Sequence, residues 1–321
     1  LESGFTPASI INDAPVVFDD TALEATWRPE NYSGKFYGPT RLREALYRSR
    51  NLVSIRVLRT VGAPVAASYA ERFGFAAEQL PKDLTLALGS ASATPLQMAR
   101  AYAVFANGGF RVKPYFITRI HDNEGNVIES ARPVVVCPDC PQTLEDLAGQ
   151  LQPLPLAEAV ITPQNAWLMD SMMRDVIQRG TGQRARALGR SDLAGKTGTT
   201  NDQKDAWFCG YNPSLVAVSW VGFDRLEPLG RGETGGRAAL PMWMAYMGDA
   251  LKGTPVKRRR QPEGMVTVRI DPKSGLLARS GQADGIFETF RVDSVPTEMA
   301  GGAGAADGGA PGTDDGSGEL F

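Results

Sequence analysis

Histidine occurs once in 321 residues, as His121, and cysteine three times. A Ser-His-Asp or Cys-His enzyme would have to depend on that one position, and histidine-rich zinc sites are excluded. His121 lies in Arg119-Ile120-His121-Asp122-Asn123-Glu124-Gly125-Asn126-Val127, which reads as an exposed hairpin turning at Asn123 to Asn126, so its expected role is structural. Cys137-Pro138-Asp139-Cys140 has the spacing of a redox or metal pair, but no second pair exists to complete a zinc site, and its surroundings are proline-rich. A local disulfide of an oxidising compartment and two idle thiols are both open readings. Cys209, between Phe208 and Gly210, reads as a small core residue. No metal and no cofactor are expected.

Long apolar runs are also missing. None approaches the ~18 residues of a membrane-spanning helix, so any secretion signal or anchor is expected upstream of Leu1. Charge of either sign is scarce in excess: 34 Lys and Arg against 36 Asp and Glu leave a net −2, with no nucleic-acid footprint. The one basic run, Lys257-Arg258-Arg259-Arg260, reads as a solvated face. Hydrophobic content of 42% and charged content of 22% are those of a globular protein long enough for one large domain or two ordinary ones. From Ala300 onward the chain is mostly Gly, Ala and Asp, with almost nothing to bury, and a disordered tail over 299–321 is expected.

What is present centres on Leu193-Ala194-Gly195-Lys196-Thr197-Gly198-Thr199-Thr200, read as a strand, followed by a polar turn and a second strand from Asp205. Strand alternation puts Lys196 and Gly198 on one face and Thr197 and Thr199 on the other. At a twisted sheet edge, one cation and two hydroxyls can converge on a cleft. An extended peptide could add there as a further strand, with Gly198 permitting close approach and the polar groups holding its carboxylate. The competing reading is an ordinary solvated turn, since Lys-Thr-Gly arises by chance in roughly one chain in ten or twenty of this size.

Other elements follow from local signals. Residues 1–39 read as irregular, interrupted by Gly4, Pro7, Pro15, Pro29, Gly34 and Pro39. Thr40 to Arg48 reads as a short helix capped by Thr40, breaking at Ser49-Arg50-Asn51 before a new apolar stripe through Leu52, Ile55 and Leu58. Thr94-Pro95-Leu96-Gln97 combines a capping box with Pro at the first helical position. Residues 132–162 read as a loose insertion, and Thr162-Pro163 opens a helix striped with methionine. Leu215 to Phe223 is apolar on both faces, so its sheet needs cover on both sides. The expected fold is α/β, an antiparallel sheet covered by helices on both faces. Gly230-Arg231-Gly232-Glu233-Thr234-Gly235 has dinucleotide-fingerprint spacing but follows a hairpin meander, with Lys257 where a ribose-binding acid would fall. It is read as a flexible loop.

Ser49-Arg50-Asn51 and Lys196-Thr197-Gly198-Thr199 together match the second and third motifs of the serine penicillin-recognising enzymes. Gly38-Pro39-Thr40-Arg41-Leu42-Arg43, Ala87-Leu88-Gly89-Ser90, Asp205-Ala206-Trp207-Phe208 and Thr234-Gly235-Gly236-Arg237 sharpen the match. The chain resembles the transpeptidase domain of bifunctional class A penicillin-binding proteins over about residues 1–298, and the Cys137/Cys140 pair is similar to the 1a type of Gram-negative bacteria. The family's first motif, Ser-x-x-Lys, occurs nowhere in the chain. The nucleophilic serine, its lysine base, a glycosyltransferase domain and a membrane anchor are therefore expected upstream. The resemblance implies a penicillin-binding transpeptidase (serine β-lactamase-like) fold. It also implies cross-linking of peptidoglycan stem peptides on the periplasmic face of the inner membrane, and β-lactam antibiotics as covalent inhibitors. It assigns Ser49 to relay a proton, Asn51 to hold the base and the donor amide, and Lys196 to supply positive potential. Thr197 and Thr199 would bind the terminal carboxylate beside Gly198, with the Thr199 N–H as half of an oxyanion hole. The alternative is a non-catalytic peptidoglycan-binding or scaffold module. A stand-alone β-lactamase fits less well, for want of a matching Glu-bearing loop.

Overall fold

Four short strands precede the first helix: β1 (Ile10–Asp13), β2 (Phe18–Asp20), β3 (Ala25–Trp27) and β4 (Gly38–Arg41). β1 pairs antiparallel with β4, and β2 with β3. The computed structural model describes residues 1–20, 25–137, 143–145, 151–153 and 155–301; Cys140 and residues 302–321 of the expected tail lie outside them, while Met299 and Ala300 are joined to Leu277. Residues 1–39 are thus less irregular than their prolines suggest. Pro39 fits β4 because a two-stranded ribbon is all edge, where a missing N–H is tolerated.

Helices α1 (Leu42–Arg48) and α2 (Asn51–Val61) meet at Ser49, and α3 (Ala63–Glu71) follows after Gly62. Thr40 is not the cap of α1. It belongs to β4, where its hydroxyl donates to the carbonyl of Gly38 at 2.9 Å. The pairing with β1 holds the backbone extended through Arg41. The first amides of α1 are instead taken by the preceding segment, Leu42 N–H donating to Ser9 O and Arg43 N–H to Pro7 O.

Helix α4 (Pro95–Asn107) starts as expected, with Thr94 and Gln97 forming a reciprocal capping box. Then come β5 (Phe110–Arg111) and the exposed hairpin of β6 (Arg119–His121) and β7 (Val127–Ser130), where the His121 ring hydrogen-bonds the carbonyl of Gly125. Three short strands follow: β8 (Thr143–Glu145), β9 (Leu151–Pro153) and β10 (Glu158–Ala159). β8 pairs with β9, and β10 returns to β5. Helix α5 (Pro163–Arg179) carries the methionine stripe, with Met172 and Met173 buried.

The central sheet is antiparallel in the order β11 (Ala194–Thr199), β12 (Asp205–Asn212), β13 (Leu215–Gly222), leaving β11 as an edge. A π-helical turn, Gly235–Ala239, leads into α6 (Leu240–Ala250). One face of the sheet offers Ala206 and Phe208 to Trp243 and Met247 of α6, with the Phe208 and Trp243 rings 4.8 Å apart, edge to face. The other face offers Ala194 and Tyr211 to Ala106 of α4 and Met173 of α5. Both faces are covered, which is why β12 and β13 are apolar on alternate as well as successive residues. A last hairpin, β14 (Met265–Ile270) and β15 (Ile286–Arg291), packs Ile270 and Phe290 on Ala8. Its second strand, which follows Asp284-Gly285, is not among the elements expected from the sequence.

A buried ion network ties these layers together. Arg43 of α1 donates from Nε and Nη2 to both oxygens of Glu288 on β15, at 2.8 and 2.7 Å, and from Nη1 to Asp175 of α5 at 3.0 Å. Fork-to-carboxylate geometry is the strongest form of such a pair. Among the described residues, no helix is long and apolar enough to cross a membrane.

Candidate active site

Lys196 is the register partner of Cys209, so its side chain shares the face of the sheet that packs on α4 and α5. There its Nζ donates to Ser49 Oγ at 2.7 Å and to the carbonyl of Thr197 at 3.0 Å. Two residues far apart in sequence are thereby joined side chain to side chain. No carboxylate lies within ion-pair distance of Lys196 among the described residues. Burial holds its ammonium down to about 8, with the neighbouring Cys209 acting weakly the other way; Cys209 itself, buried and free, is pushed up to about 12. An unpaired, partly desolvated cation is a ready partner for an anion.

Ser49 reaches Lys196 from a constrained backbone. It ends α1 with φ 57 and ψ 53, the left-handed region that a residue bearing Cβ enters at a cost of roughly 1–2 kcal/mol. In this conformation the Arg50 N–H closes on Ala45 O at 2.9 Å, and the chain turns directly into α2. Ser49→Gly is expected to be more stable to thermal unfolding than Ser49→Ala by about 1 kcal/mol, although both lose the bond to Lys196, because only glycine relieves the strain. Equal stabilities would show the corner to be relaxed.

Asn51 opens α2, and among the described residues no hydrogen bond joins it to Lys196. Its side-chain amide donates to the carbonyl of Glu30 at 2.8 Å, and its backbone N–H donates to Asn31 Oδ1 at 2.9 Å. Behind them, Asn31 Nδ2 donates to both oxygens of the fully buried Asp13, at 2.8 and 3.0 Å. Asp13 and Asn31 went unseen in the sequence, where neither lies in a motif or a periodic pattern.

Thr197 and Thr199 lie on the opposite face from Lys196, as alternation requires, but at the exposed end of the edge strand. Thr197 Oγ1 is 2.6 Å from Thr181 Oγ1, and Thr199 Oγ1 accepts the N–H of Gly235 at 3.0 Å, leaving its own proton to donate. Gly235 sits so close to β11 that a Cβ there would fall 2.4 Å from Gly198 O. Gly180 approaches Tyr47 O as closely, and Thr181 N–H donates to that same carbonyl, joining the end of α5 to the corner at Ser49. Thr181 is another residue that sequence patterns missed. The glycine-rich loop 230–235 is fastened to the β11–β12 turn by Gln203, whose Oε1 accepts the N–H of Gly232. Cys137 is disulfide-bonded.

Comparison with known proteins shows the family. The family model for the penicillin binding protein transpeptidase domain matches residues 1–223. Penicillin-binding protein 1A of Pseudomonas aeruginosa is 47% identical over 328 residues, covering 93% of this chain and 40% of the relative. The protein of the same name from Vibrio cholerae is 42% identical over 324 residues, covering 93% and 39%. The crystal structure of penicillin-binding protein 1A from Haemophilus influenzae superposes with a TM-score of 0.84 at 37% identity, over 93% of this chain and 47% of that one. PonA1 from Mycobacterium tuberculosis in complex with penicillin V gives a TM-score of 0.62 at 25% identity, over 81% and 68%. The chain therefore spans about two fifths of the length of the curated relatives it matches. With a lysine of Lys-Thr-Gly bonded to the serine of Ser-x-Asn across the fold, and the family model matching through the central sheet, this chain belongs to the penicillin-binding protein transpeptidase domain family.

Proposed function

We propose that this chain forms part of the active site of a peptidoglycan D,D-transpeptidase, with its nucleophile in a Ser-x-x-Lys segment upstream of Leu1. One observation carries the reading: an ammonium with no carboxylate partner among the described residues is bonded to Ser49 at the end of an edge strand that also presents two threonine hydroxyls. In the extended chain, the upstream serine attacks the carbonyl between two terminal D-alanines of a donor stem peptide. The C–O bond forms to give a tetrahedral oxyanion, and its collapse breaks the C–N bond as the serine's proton, taken by the upstream lysine, passes through Ser49 to the departing D-alanine amine. Asn51 holds the donor amide and the upstream lysine. Thr197 and Thr199 bind the terminal carboxylate, Lys196 supplies the positive potential, and Gly198 allows the peptide to lie against β11. The Thr199 N–H stabilises the oxyanion. An amine of a second stem peptide then takes the acyl group, and β-lactams acylate the serine by the same route. A membrane anchor and a glycosyltransferase domain upstream, and a place on the periplasmic face of the inner membrane, belong to the same reading.

Release of D-alanine from a peptide ending in D-Ala-D-Ala tests it. The extended chain should release D-alanine, and prior treatment with penicillin should abolish release. An extended chain that is folded yet releases none, with or without an acceptor amine, points to a non-catalytic module.

Lys196 gives this reading a pH signature. Carboxylate binding requires the ammonium, so affinity for a carboxylate-bearing ligand should be constant below about 8 and then fall about tenfold per pH unit. Folding stability should move the other way. Between about 8 and the ordinary 10.5, the unfolded chain binds the Lys196 proton and the folded chain does not, so stability rises with pH across that window. Calorimetric titration and thermal melts from pH 7 to 10 measure the two trends, and parallel trends would remove Lys196 from the carboxylate site.

A further inference from the structure

Helix α2 has no cap of its own. Arg50, at the capping position, accepts no amide with its side chain, and the first amide of the helix, that of Asn51, is instead taken by Asn31 Oδ1 at 2.9 Å. Asn31 is in turn held from three sides: its amide donates to Asp13 Oδ1, Asp13 Oδ2 and the carbonyl of Lys35, all within 3.0 Å. Asp13 is 0% exposed and Asn31 4%, so this is a buried, built contact. Asp13 Oδ2 also lies 3.9 Å from Arg50 Nε, while the Arg50 guanidinium stacks on the ring of Tyr37. The segment 30–37 and the end of β1 thus hold the two residues that follow Ser49 in the corner: Arg50 through Asp13 and Tyr37, and Asn51 through Glu30 O and Asn31.

The corner needs such a hold. Ser49 is kept in a backbone region that residues other than glycine avoid, and it persists only where surrounding contacts dictate it. Its hydroxyl must stay at 2.7 Å from Lys196, and an error of about 1 Å in a reacting group can slow a reaction about a hundredfold. We propose that Asp13 and Asn31 are positioning residues. They touch neither substrate nor reacting atoms, and they act by fixing the Asn51 amide and thereby the placement of Ser49 against Lys196. The inference rests on the transpeptidase reading for its effect on rate; the clamp itself is a statement about the fold.

Three variants of the extended chain test it: N31A, N31D and the exchange D13N/N31D. In N31D two carboxylates face each other. In the exchange, Asp at 31 can accept both the Asn51 amide and the new amide at 13, restoring donor to acceptor between these positions, while the carbonyl of Lys35 loses its donor. Acylation by a fluorescent penicillin is measured per titratable site, separating the binding constant from the acylation rate constant. N31A and N31D should acylate ten- to a hundredfold more slowly, with the binding constant changed less than twofold and nearly every molecule titratable after long incubation. The exchange should return to within about threefold of the unsubstituted rate. A wild-type rate in N31A, a loss confined to the titratable fraction, or a folded exchange variant as slow as N31D would each overturn the proposal. Hydrogen exchange at the Asn51 amide is the readout that needs neither chemistry nor a well-behaved variant. That amide should be protected in the unsubstituted chain, and rapid exchange there overturns the clamp whatever acylation shows. If the unsubstituted extended chain is not acylated at all, the transpeptidase reading fails, and protection of the Asn51 amide still decides whether the clamp exists.

Discussion

Lys196→Ala in the extended chain is expected to slow acylation by penicillin on the order of a hundredfold or more, with little change in folding. Removing one preorganised electrostatic group from an active site typically costs that much. Here the ammonium is unopposed by any carboxylate within ion-pair distance among the described residues, so its potential is available to an incoming carboxylate. Its loss also frees Ser49 Oγ from its 2.7 Å bond. The fold has little to lose, because burial disfavours the charged form of Lys196 and its removal relieves that penalty. The melting temperature should stay within a few degrees of the parent or rise. Rapid-quench acylation beside a thermal melt measures both quantities. A near-normal rate would reduce Lys196 to a partly buried charge with a structural bond to Ser49.

The second large effect is all-or-none. This chain alone should form no covalent adduct with a fluorescent penicillin, whereas the chain extended upstream by a few tens of residues should label. Covalent capture requires a nucleophile activated by a neighbouring base. Within these residues Lys196 donates to Ser49 Oγ and does not accept from it, which leaves Ser49 a weak nucleophile. Gel fluorescence on both chains, followed by mass spectrometry of any adduct, decides the matter. An adduct on the isolated chain at Ser49 or another internal serine would overturn both the upstream nucleophile and the relay role of Ser49. An extended chain that folds but does not label would favour the non-catalytic module.

Much of the scaffold was legible because its signals are local. The Thr94 capping box and the methionine stripe of α5 each declare themselves within a short stretch, and each element stands where expected. The antiparallel sheet with helices on both faces followed from the double-sided apolar pattern of β13. The pairings of β1 with β4 and β14 with β15 were not legible, since a short strand made by a distant partner carries no period of its own. Thr40 misled for the same reason: it is a good capping residue, but pairing with β1 carried the strand past it. At the site, motif spacing identified Ser49 and Lys196 but could not show them bonded. Asp13, Asn31 and Thr181 make their contacts with residues distant in sequence, and no one-dimensional pattern marks such contacts.

The clasp between Arg43 and Glu288 has a mechanical consequence. Glu288 lies beyond residue 223, where the family match ends, yet it anchors the helix that terminates at Ser49. Losing Glu288 removes both acceptors of the Arg43 fork and leaves the guanidinium with Asp175 as its remaining carboxylate partner among the described residues, so the buried network is weakened rather than abolished. A lesion in the last hairpin is therefore felt as slack in α1, and variation there can retune the serine–lysine junction while every residue of the junction stays the same.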